Sequence, residues 1–411
     1  MAILILNQRR RAFAPYLSWL EDLDEEVYLY TSPAYGETTE PYALVQVFDN
    51  WVTNDRVEID ALRLYEDHPY RLIIALDESD LIRAARLRDR LHLPGQRLDS
   101  ATAYRDKAVM KSLVRQSVLC PAFRRLDSPL HLYDFVLEHG LPVVVKPVDG
   151  MGSMNTEIIW TPEQLNEAWE RGLGSGLMVE AYVEGEMYEI DGLMMGQEIR
   201  FASVGRYSCQ PLEILGKECF VELLSPADPI FQRLVQEVQR VIEALPSPGI
   251  STFHCELFHT REDELVLCEI ASRTAGGRIS ESVSAMYGVN LNWEWVRAQC
   301  GLPLTLPTSS PPRVAGVYLM PKRPGTVKKL PEALPFDWVT EYVPRVKTGE
   351  LLDAAHSSVD AVMTVIIVGE NSASLQARLS ELLRYLEHEV QILPAYKEDT
   401  INETPVISRK Q

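Results

Sequence analysis

Long apolar runs are missing from this 411-residue chain: no uninterrupted stretch approaches the roughly 18 residues that a membrane helix requires. Cysteine is sparse and scattered. The six residues Cys120, Cys209, Cys219, Cys255, Cys268 and Cys300 form no C-x-x-C pair, and a chain this long needs no disulfide or zinc staple, so buried reduced thiols are expected. Positive charge is in deficit, with 40 Lys and Arg against 59 Asp and Glu and a net charge of −19, which disfavours nucleic acid and anionic membrane as partners. A few cations in a cleft would still hold one phosphate tail, so a nucleotide stays open. Glycine (22) and proline (26) stand at ordinary levels, with no low-complexity tract or internal repeat, which argues against collagen-like and disordered chains. The start, MAILILNQRRRAF, puts its apolar residues before its arginines, the reverse of a secretory signal, and a cytoplasmic protein is the expectation. For the same reason the Asn402-Glu403-Thr404 sequon reads as chance. The length allows two or three domains.

What is present alternates in period. Ala2 to Leu6, Val27 to Tyr30, Ala43 to Phe48 and Arg71 to Leu76 read as strands, with helical spacing up to Leu20 and from Ser79 to Leu91, where Pro94-Gly95 stops it. Strands alternating with helices predict a parallel, doubly wound sheet, with a boundary near residue 95. A helix follows between Tyr104 and Val118, and the apolar strand Val143 to Val145 delivers Lys146 to a glycine-rich loop. Ser225-Pro226-Ala227-Asp228 reads as the cap of a long amphipathic helix through Leu245. Beyond the proline-rich Leu302 to Pro312 segment, Ala361 to Val368 reads as a strand and Ala373 to Leu386 as a helix, a small α+β closing element, and the tail after Pro394 reads as frayed.

The segment from Ser251 to Ile270 holds two alternating strands around a charged turn. If the loop is Arg261 to Glu264, Thr260 faces Leu265, and counting back by twos sets Phe258 opposite Leu267 and Glu256 opposite Glu269. Opposed side chains in an antiparallel pair have Cβ atoms roughly 5 Å apart, and like charges there destabilise unless something compensates. A divalent cation would do so, and hard oxygen ligands favour Mg²⁺ or Mn²⁺ carried with a nucleoside triphosphate. The competing reading is a solvent-facing hairpin whose register is one residue off. In Lys146-Pro-Val-Asp-Gly-Met-Gly-Ser-Met-Asn-Thr156, Gly150 and Gly152 let backbone N–H groups turn toward an anion, and Ser153 and Thr156 add hydroxyls. The order of a P-loop and of the dinucleotide fingerprint are both absent, and a plain loop is the alternative. Arg273 and Arg278, with Gly276-Gly277 between them, follow Glu269. A guanidinium there suits a phosphoryl or carboxylate oxygen, against the alternative that Arg278 is a surface cation.

As a set these residues resemble the ATP-grasp superfamily, specifically its carboxylate-amine ligases of the bacterial L-amino acid ligase kind. The resemblance rests on the run from Arg105-Asp106-Lys107 to Pro121, Val143-Val-Val-Lys-Pro147, Glu180-Ala-Tyr-Val-Glu-Gly185, the Glu256 hairpin, Glu269 to Arg278, and Ala315 to Pro321, in that order and spacing. It implies a mixed α/β and α+β fold: a Rossmann-like domain over 1–95, a central nucleotide-binding region over 96–300 with a lid at about 120–190, and a C-terminal α+β part over 301–411 that completes the ligase core. It further implies that Lys107 and Lys146 hold phosphates under the 150–156 loop, Ser153 included. Adenine would face the backbone around Glu180, Ala181 and Val183, Glu256 and Glu269 would hold the metal, and Arg273 would steady the transferred phosphoryl group.

Two positions depart from the family pattern. Ala271 stands where an asparagine often adds a metal contact, and Met187 stands where the ribose-binding glutamate is expected, leaving Glu184 or Glu186. His254 shares a face with Glu256 and reads either as substrate-facing or as structural; His259 reads as a solvated turn residue. Asp191, Asn290 and Trp293 are further pocket candidates. The expected activity is ATP-dependent joining of a small-molecule carboxylate to an amine through an acyl-phosphate, with ATP and Mg²⁺ or Mn²⁺ and a possible homodimer. Arg278 with Gly276-Gly277 would hold the carboxylate or the developing oxyanion. Alternatives are a carboxyphosphate intermediate, transfer of the acyl group to a carrier-protein thiol, and a nucleotide-binding regulator without turnover.

Overall fold

The computed structural model describes residues 2–36, 41–209, 217–309 and 311–394. The tail beyond Pro394 and the sequon at Asn402 lie outside the described residues.

Ala2–Asn7 (β1) is apolar at nearly every position because both faces are covered: Ile3 and Ile5 join one core cluster, Ala2, Leu4 and Leu6 another. It lies between Glu26–Thr31 (β2) and Tyr70–Ala75 (β4), parallel to both, with Leu44–Val47 (β3) outside β2, giving the order β3-β2-β1-β4. The helical stretch expected up to Leu20 is a single turn, Tyr16–Trp19 (α1). Arg56–Asp67 (α2) and Leu81–Leu91 (α3) complete this part.

The helix expected between Tyr104 and Val118 is two, Leu98–Arg105 (α4) and Lys107–Val114 (α5), broken at Asp106. Asp106 sits in extended backbone, and its carboxylate caps the second helix by accepting from the N–H groups of Ala108 and Val109. The break gives Lys107 the first position of a new helix, and the Lys107 N–H donates to Val148 O at 2.8 Å.

Phe123–Leu126 (β5), Pro129–His139 (α6), Val143–Pro147 (β6), Glu157–Ile159 (β7), Pro162–Arg171 (α7) and Leu177–Ala181 (β8) form a small antiparallel sheet, order β5-β8-β6-β7, with its own core of Leu132, Phe135, Val143, Ile159 and Val179.

The largest sheet has eight strands in the order β13-β12-β9-β10-β11-β14-β18-β16. They are Glu186–Met195 (β9), Glu198–Tyr207 (β10), Cys219–Leu223 (β11), Ile250–His259 (β12), Leu265–Ala271 (β13), Val314–Pro321 (β14), Val339–Pro344 (β16) and Ala361–Gly369 (β18). Phe231–Ala244 (α8) covers one face; it starts at Phe231 after Ile230, not at Ser225, whose hydroxyl instead closes a turn onto the Ala227 N–H. Phe253, Cys255 and Leu257 pack against that helix, so the alternate residues His254 and Glu256 point to the opposite face. Ile279–Tyr287 (α9) and Leu291–Gln299 (α10) follow β13. Gly325–Lys329 (β15), Leu351–Leu352 (β17), Ser372–Glu389 (α11) and Gln391–Pro394 (β19) complete the chain, with a three-stranded sheet ordered β17-β15-β19. Strands β14, β16 and β18 extend the central sheet, so residues after 301 share its hydrogen bonding. No described helix is long and apolar enough to cross a membrane.

Candidate active site

The hairpin of β12 and β13 sets two carboxylates side by side, by a route the residue pattern did not predict. The loop is one residue longer than expected: His259 pairs with Leu265, Phe258 with Val266 and Leu257 with Leu267. The expected pairings of Thr260 with Leu265 and Phe258 with Leu267 do not form. A bulge then places Cys268 as an extra residue, and Glu256 comes opposite Glu269. The extra loop residue and the bulged residue cancel.

Lys111 satisfies the bulge. Its ammonium, fully buried, donates to Leu267 O at 3.0 Å and Cys268 O at 2.7 Å and pairs with Glu180 Oε1 at 3.3 Å. Glu180 Oε2 also receives Lys146 Nζ at 2.9 Å, so one buried carboxylate on β8 joins two lysines from different elements. Burial alone would raise the Glu180 carboxyl, but Lys111 and Lys146 outweigh it and hold it below its ordinary value. The Lys146 ammonium is held above its ordinary value although burial opposes this, chiefly through Glu180. One turn before Lys111, Lys107 Nζ lies 3.2 Å from Glu269 Oε2 and donates to Gly150 O at 2.7 Å. Burial works against the Glu269 charge, yet Lys107 and Lys146 bring its carboxyl down to about 2.

Arg273 follows β13 and pairs with Glu78, which also takes Arg105 at 2.8 Å. Glu78 is buried, a condition that favours the neutral acid, and the two guanidiniums reverse it, lowering its pKa. The 150–156 loop turns through left-handed backbone at three positions, with φ of 59° at Gly152, 58° at Ser153 and 55° at Asn155. Gly152 O accepts from the Ser358 N–H at 2.9 Å, which ties the loop to the segment before β18.

Beneath the carboxylate pair lies a second acidic group. His254 Nδ1 sits 3.2 Å from Asp191 Oδ1, and its Nε2 lies 3.6 Å from Glu256 Oε1. Burial would lower the His254 pKa, but Asp191 overrides it and raises it. Glu189, opposite Glu256 on β9, is fully buried; burial and then Asp191 raise its carboxyl well above the ordinary range. Glu189, Asp191 and His254 bring one ligand atom each within 4.8 Å of one another. Gly205 makes room for this: a Cβ there would meet Glu189 Oε1 at 2.7 Å.

One cavity of about 350 Å³ is bordered by Lys107, Lys146, Ser153, Glu180, Ala181, Val183, His254, Glu256, Glu269, Arg273, Gly276 and Gly277 together. Six residues singled out from the sequence, Arg278, Asn290, Trp293, Glu186, Glu184 and His259, lie off its wall. Arg278 is absent from the cavity wall: it pairs with Glu341 and with Glu281 at 2.9 Å and lies over the Phe13 ring. Asn290 caps α10, accepting from the Trp293 N–H at 3.1 Å, and the Trp293 ring carries the Arg297 guanidinium at 4.6 Å. Glu186 accepts from the Tyr188 hydroxyl at 2.9 Å, while strand alternation sends Met187 into the cavity instead; Glu184 pairs with Arg261. His259 sits at the hairpin end with Asp263 at 2.7 Å. Among the described residues no two of the six cysteines are joined as a disulfide.

The residue pattern passed over Lys111, Arg9, Asp77 and Glu78. Lys111 is legible as a second lysine four positions from Lys107 on one helix face. The others lie just past the carboxyl ends of β1 and β4, where open parallel sheets place ligands, and all three border the cavity.

No protein-family model matches the chain. The L-arginine-specific L-amino acid ligase of Bacillus subtilis is 24% identical over 280 residues, 65% of this chain and 67% of that protein. The crystal structure of an L-amino acid ligase from Bacillus licheniformis superposes with a TM-score of 0.75 at 19% identity, covering 96% of this chain and 99% of that one. The carboxyaminoimidazole ribonucleotide synthase of Aspergillus clavatus, solved in complex with ATP, gives a TM-score of 0.72 at 13% identity over 94% and 98% of the two chains.

Proposed function

We infer that this chain, which has the ATP-grasp fold and belongs with the ATP-grasp ligases, joins a small-molecule carboxylate to an amine at the expense of ATP, its substrates being amino acids or amino-acid-like acids. The observation that carries the reading is the convergence of Lys107, Lys146, Arg273, Glu256 and Glu269 on one cavity under a glycine loop. Its likeness to proteins named as L-amino acid ligases supports the substrate class.

The facing carboxylates of Glu256 and Glu269 are hard oxygen donors and fit a magnesium or manganese ion, which when bound would offset triphosphate charge. Ala271 offers no further oxygen ligand. In the first step a carboxylate oxygen attacks the γ-phosphorus, the bond to the bridging oxygen breaks and ADP leaves. The amine nitrogen then attacks the acyl carbon, phosphate departs, and the nitrogen's proton passes to solvent. Lys107, Lys146 and Arg273 serve both steps by offsetting charge on the phosphoryl oxygens. The 150–156 loop, closed onto Ser358, keeps water from the acyl-phosphate.

ADP and phosphate release, measured with ATP, Mg²⁺ and pairs of amino acids, tests the reading. Release that requires a free amine, and that Glu269→Gln abolishes, is the expected result. Release that requires a phosphopantetheine thiol would reassign the acceptor, and ATP binding without release under any pairing would leave a regulator.

A further inference from the structure

Three of the four lysines and arginines bordering the cavity are neutralised by the protein itself. Lys107 pairs with Glu269, Lys146 with Glu180 and Arg273 with Glu78. Arg9 also borders the cavity and pairs with no carboxylate among the described residues. It follows β1 directly, on a loop held by the two-way bonding of Asn7, whose amide donates to Arg9 O at 3.0 Å and accepts from the Arg9 N–H at 2.9 Å. One edge of its guanidinium is anchored: Nη2 reaches Leu76 O at 3.3 Å and Thr274 Oγ1 at 3.4 Å. Thr274 spends its own proton on Asn292 Oδ1 at 3.0 Å, which turns an oxygen lone pair to Arg9. The Arg9 Nε, in contrast, is buried and has no hydrogen-bond partner. A half-buried guanidinium that is braced on one side and unsatisfied at a buried donor is arranged for an anion.

We propose that Arg9 is a substrate-binding residue that takes the carboxylate of an amino-acid substrate on the wall of the cavity formed by the N-terminal sheet. This rests on the ligase reading and deepens it, since it assigns the bound amino acid an anchor outside the phosphate-binding set. Thr274, next to Arg273, puts this anchor beside the arginine assigned to the phosphoryl group. The carboxylate is therefore either the one being activated or the spectator carboxylate of the amine substrate, and the two have different signatures.

The test compares wild type, Arg9→Ala and Arg9→Lys in ADP release, offering each amino acid as the free acid and as its carboxamide. If Arg9 holds the spectator group, wild type prefers the acid over the amide as amine substrate by about 10- to 100-fold and Arg9→Ala loses that preference. If it holds the reacting group, Arg9→Ala raises the KM of the carboxylate substrate by a similar factor, leaves the acid-to-amide preference unchanged, and Arg9→Lys recovers part of the loss. A preference and a KM that are both the same in Arg9→Ala as in wild type would overturn the proposal while leaving the ligase reading intact. Wild type that releases no ADP with any pair would defeat the ligase reading instead. Calorimetric titration of the same acids and amides, with a non-hydrolysable ATP analogue and magnesium present, then decides the subsite: stronger binding of acid than amide that depends on Arg9 upholds it, and equal binding to both proteins, or none, refutes it.

Discussion

Replacing Lys111 by methionine keeps the length and apolar stem of the side chain and removes three donors. In the structure two of those donors serve the buried Leu267 O and the part-buried Cys268 O, and the ammonium pairs with the buried Glu180 carboxylate at 3.3 Å. Each stranded carbonyl costs about 1–3 kcal/mol, and removing one partner of a buried ion pair costs about 3–5 kcal/mol. Glu180 keeps Lys146 at 2.9 Å and water can reach a relaxed bulge, so a net loss near the low end, about 3 kcal/mol, is expected. For a chain of 411 residues unfolding as one unit that lowers the melting midpoint by roughly 3–4 °C. The functional effect follows from geometry. Without the lysine the two bulge carbonyls lose their shared donor, and Glu269, still held by Lys107, shifts from its place opposite Glu256; a displacement near 1 Å at a reacting centre costs up to about 100-fold. Mn²⁺ binding in the presence of ATP, followed by electron paramagnetic resonance beside a thermal melt, should weaken about 10-fold or more. Lys111→Met with a wild-type melting point and wild-type Mn²⁺ affinity would refute the assignment of Lys111 as the residue that positions the carboxylate pair.

Arg273→Gln should slow ADP release by about 10²–10³-fold, the scale for losing one donor to transition-state charge, with a much smaller change in ATP affinity; equal losses in both would make the arginine a ground-state contact. Glu78 and Glu180 have carboxyls held below their unfolded value, so they add stability above about pH 4.5 that is lost as pH falls through their folded values. Acid unfolding of Glu78→Gln, monitored by circular dichroism, should therefore show a shallower pH dependence below about pH 4.5 than wild type, and an identical slope would contradict the assignment. ATP with magnesium should protect the 150–156 loop from proteolysis, and cleavage at the same rate with and without nucleotide would contradict its role as a lid. Gly152→Ala, forced to hold a φ of 59°, should cost about 1 kcal/mol or more and loosen the loop.

The reach of residue patterns is clearest in the hairpin of β12 and β13. Alternation of Phe253, Cys255 and Leu257 with His254 and Glu256 is a local property with a period of two, and it fixed which side chains share a face. The opposition of Glu256 and Glu269 was anticipated through a register that does not form, because neither a five-residue loop nor a bulge at Cys268 leaves a distinct mark in composition. Arg278 and Asn290 show the converse limit. Their residue types suit a site, yet one is consumed by Glu341 and Glu281 and the other by a helix end.

By itself the chain's order of residues determined the alternating elements of the N-terminal sheet, the amphipathic face of α8, the glycine-rich loop after Lys146 and the class of chemistry its charged residues suit. These depend on neighbours a few positions apart, where hydrophobic periodicity and backbone preference act. Only the tertiary structure decided that Lys111 and Lys146 share Glu180, that Arg273 and Arg105 share Glu78, and that Arg9 stands on the same cavity unpaired among the described residues. Pairings between residues so far apart in the chain arise from how sheets pack across a cavity, and a one-dimensional pattern carries no term for that distance.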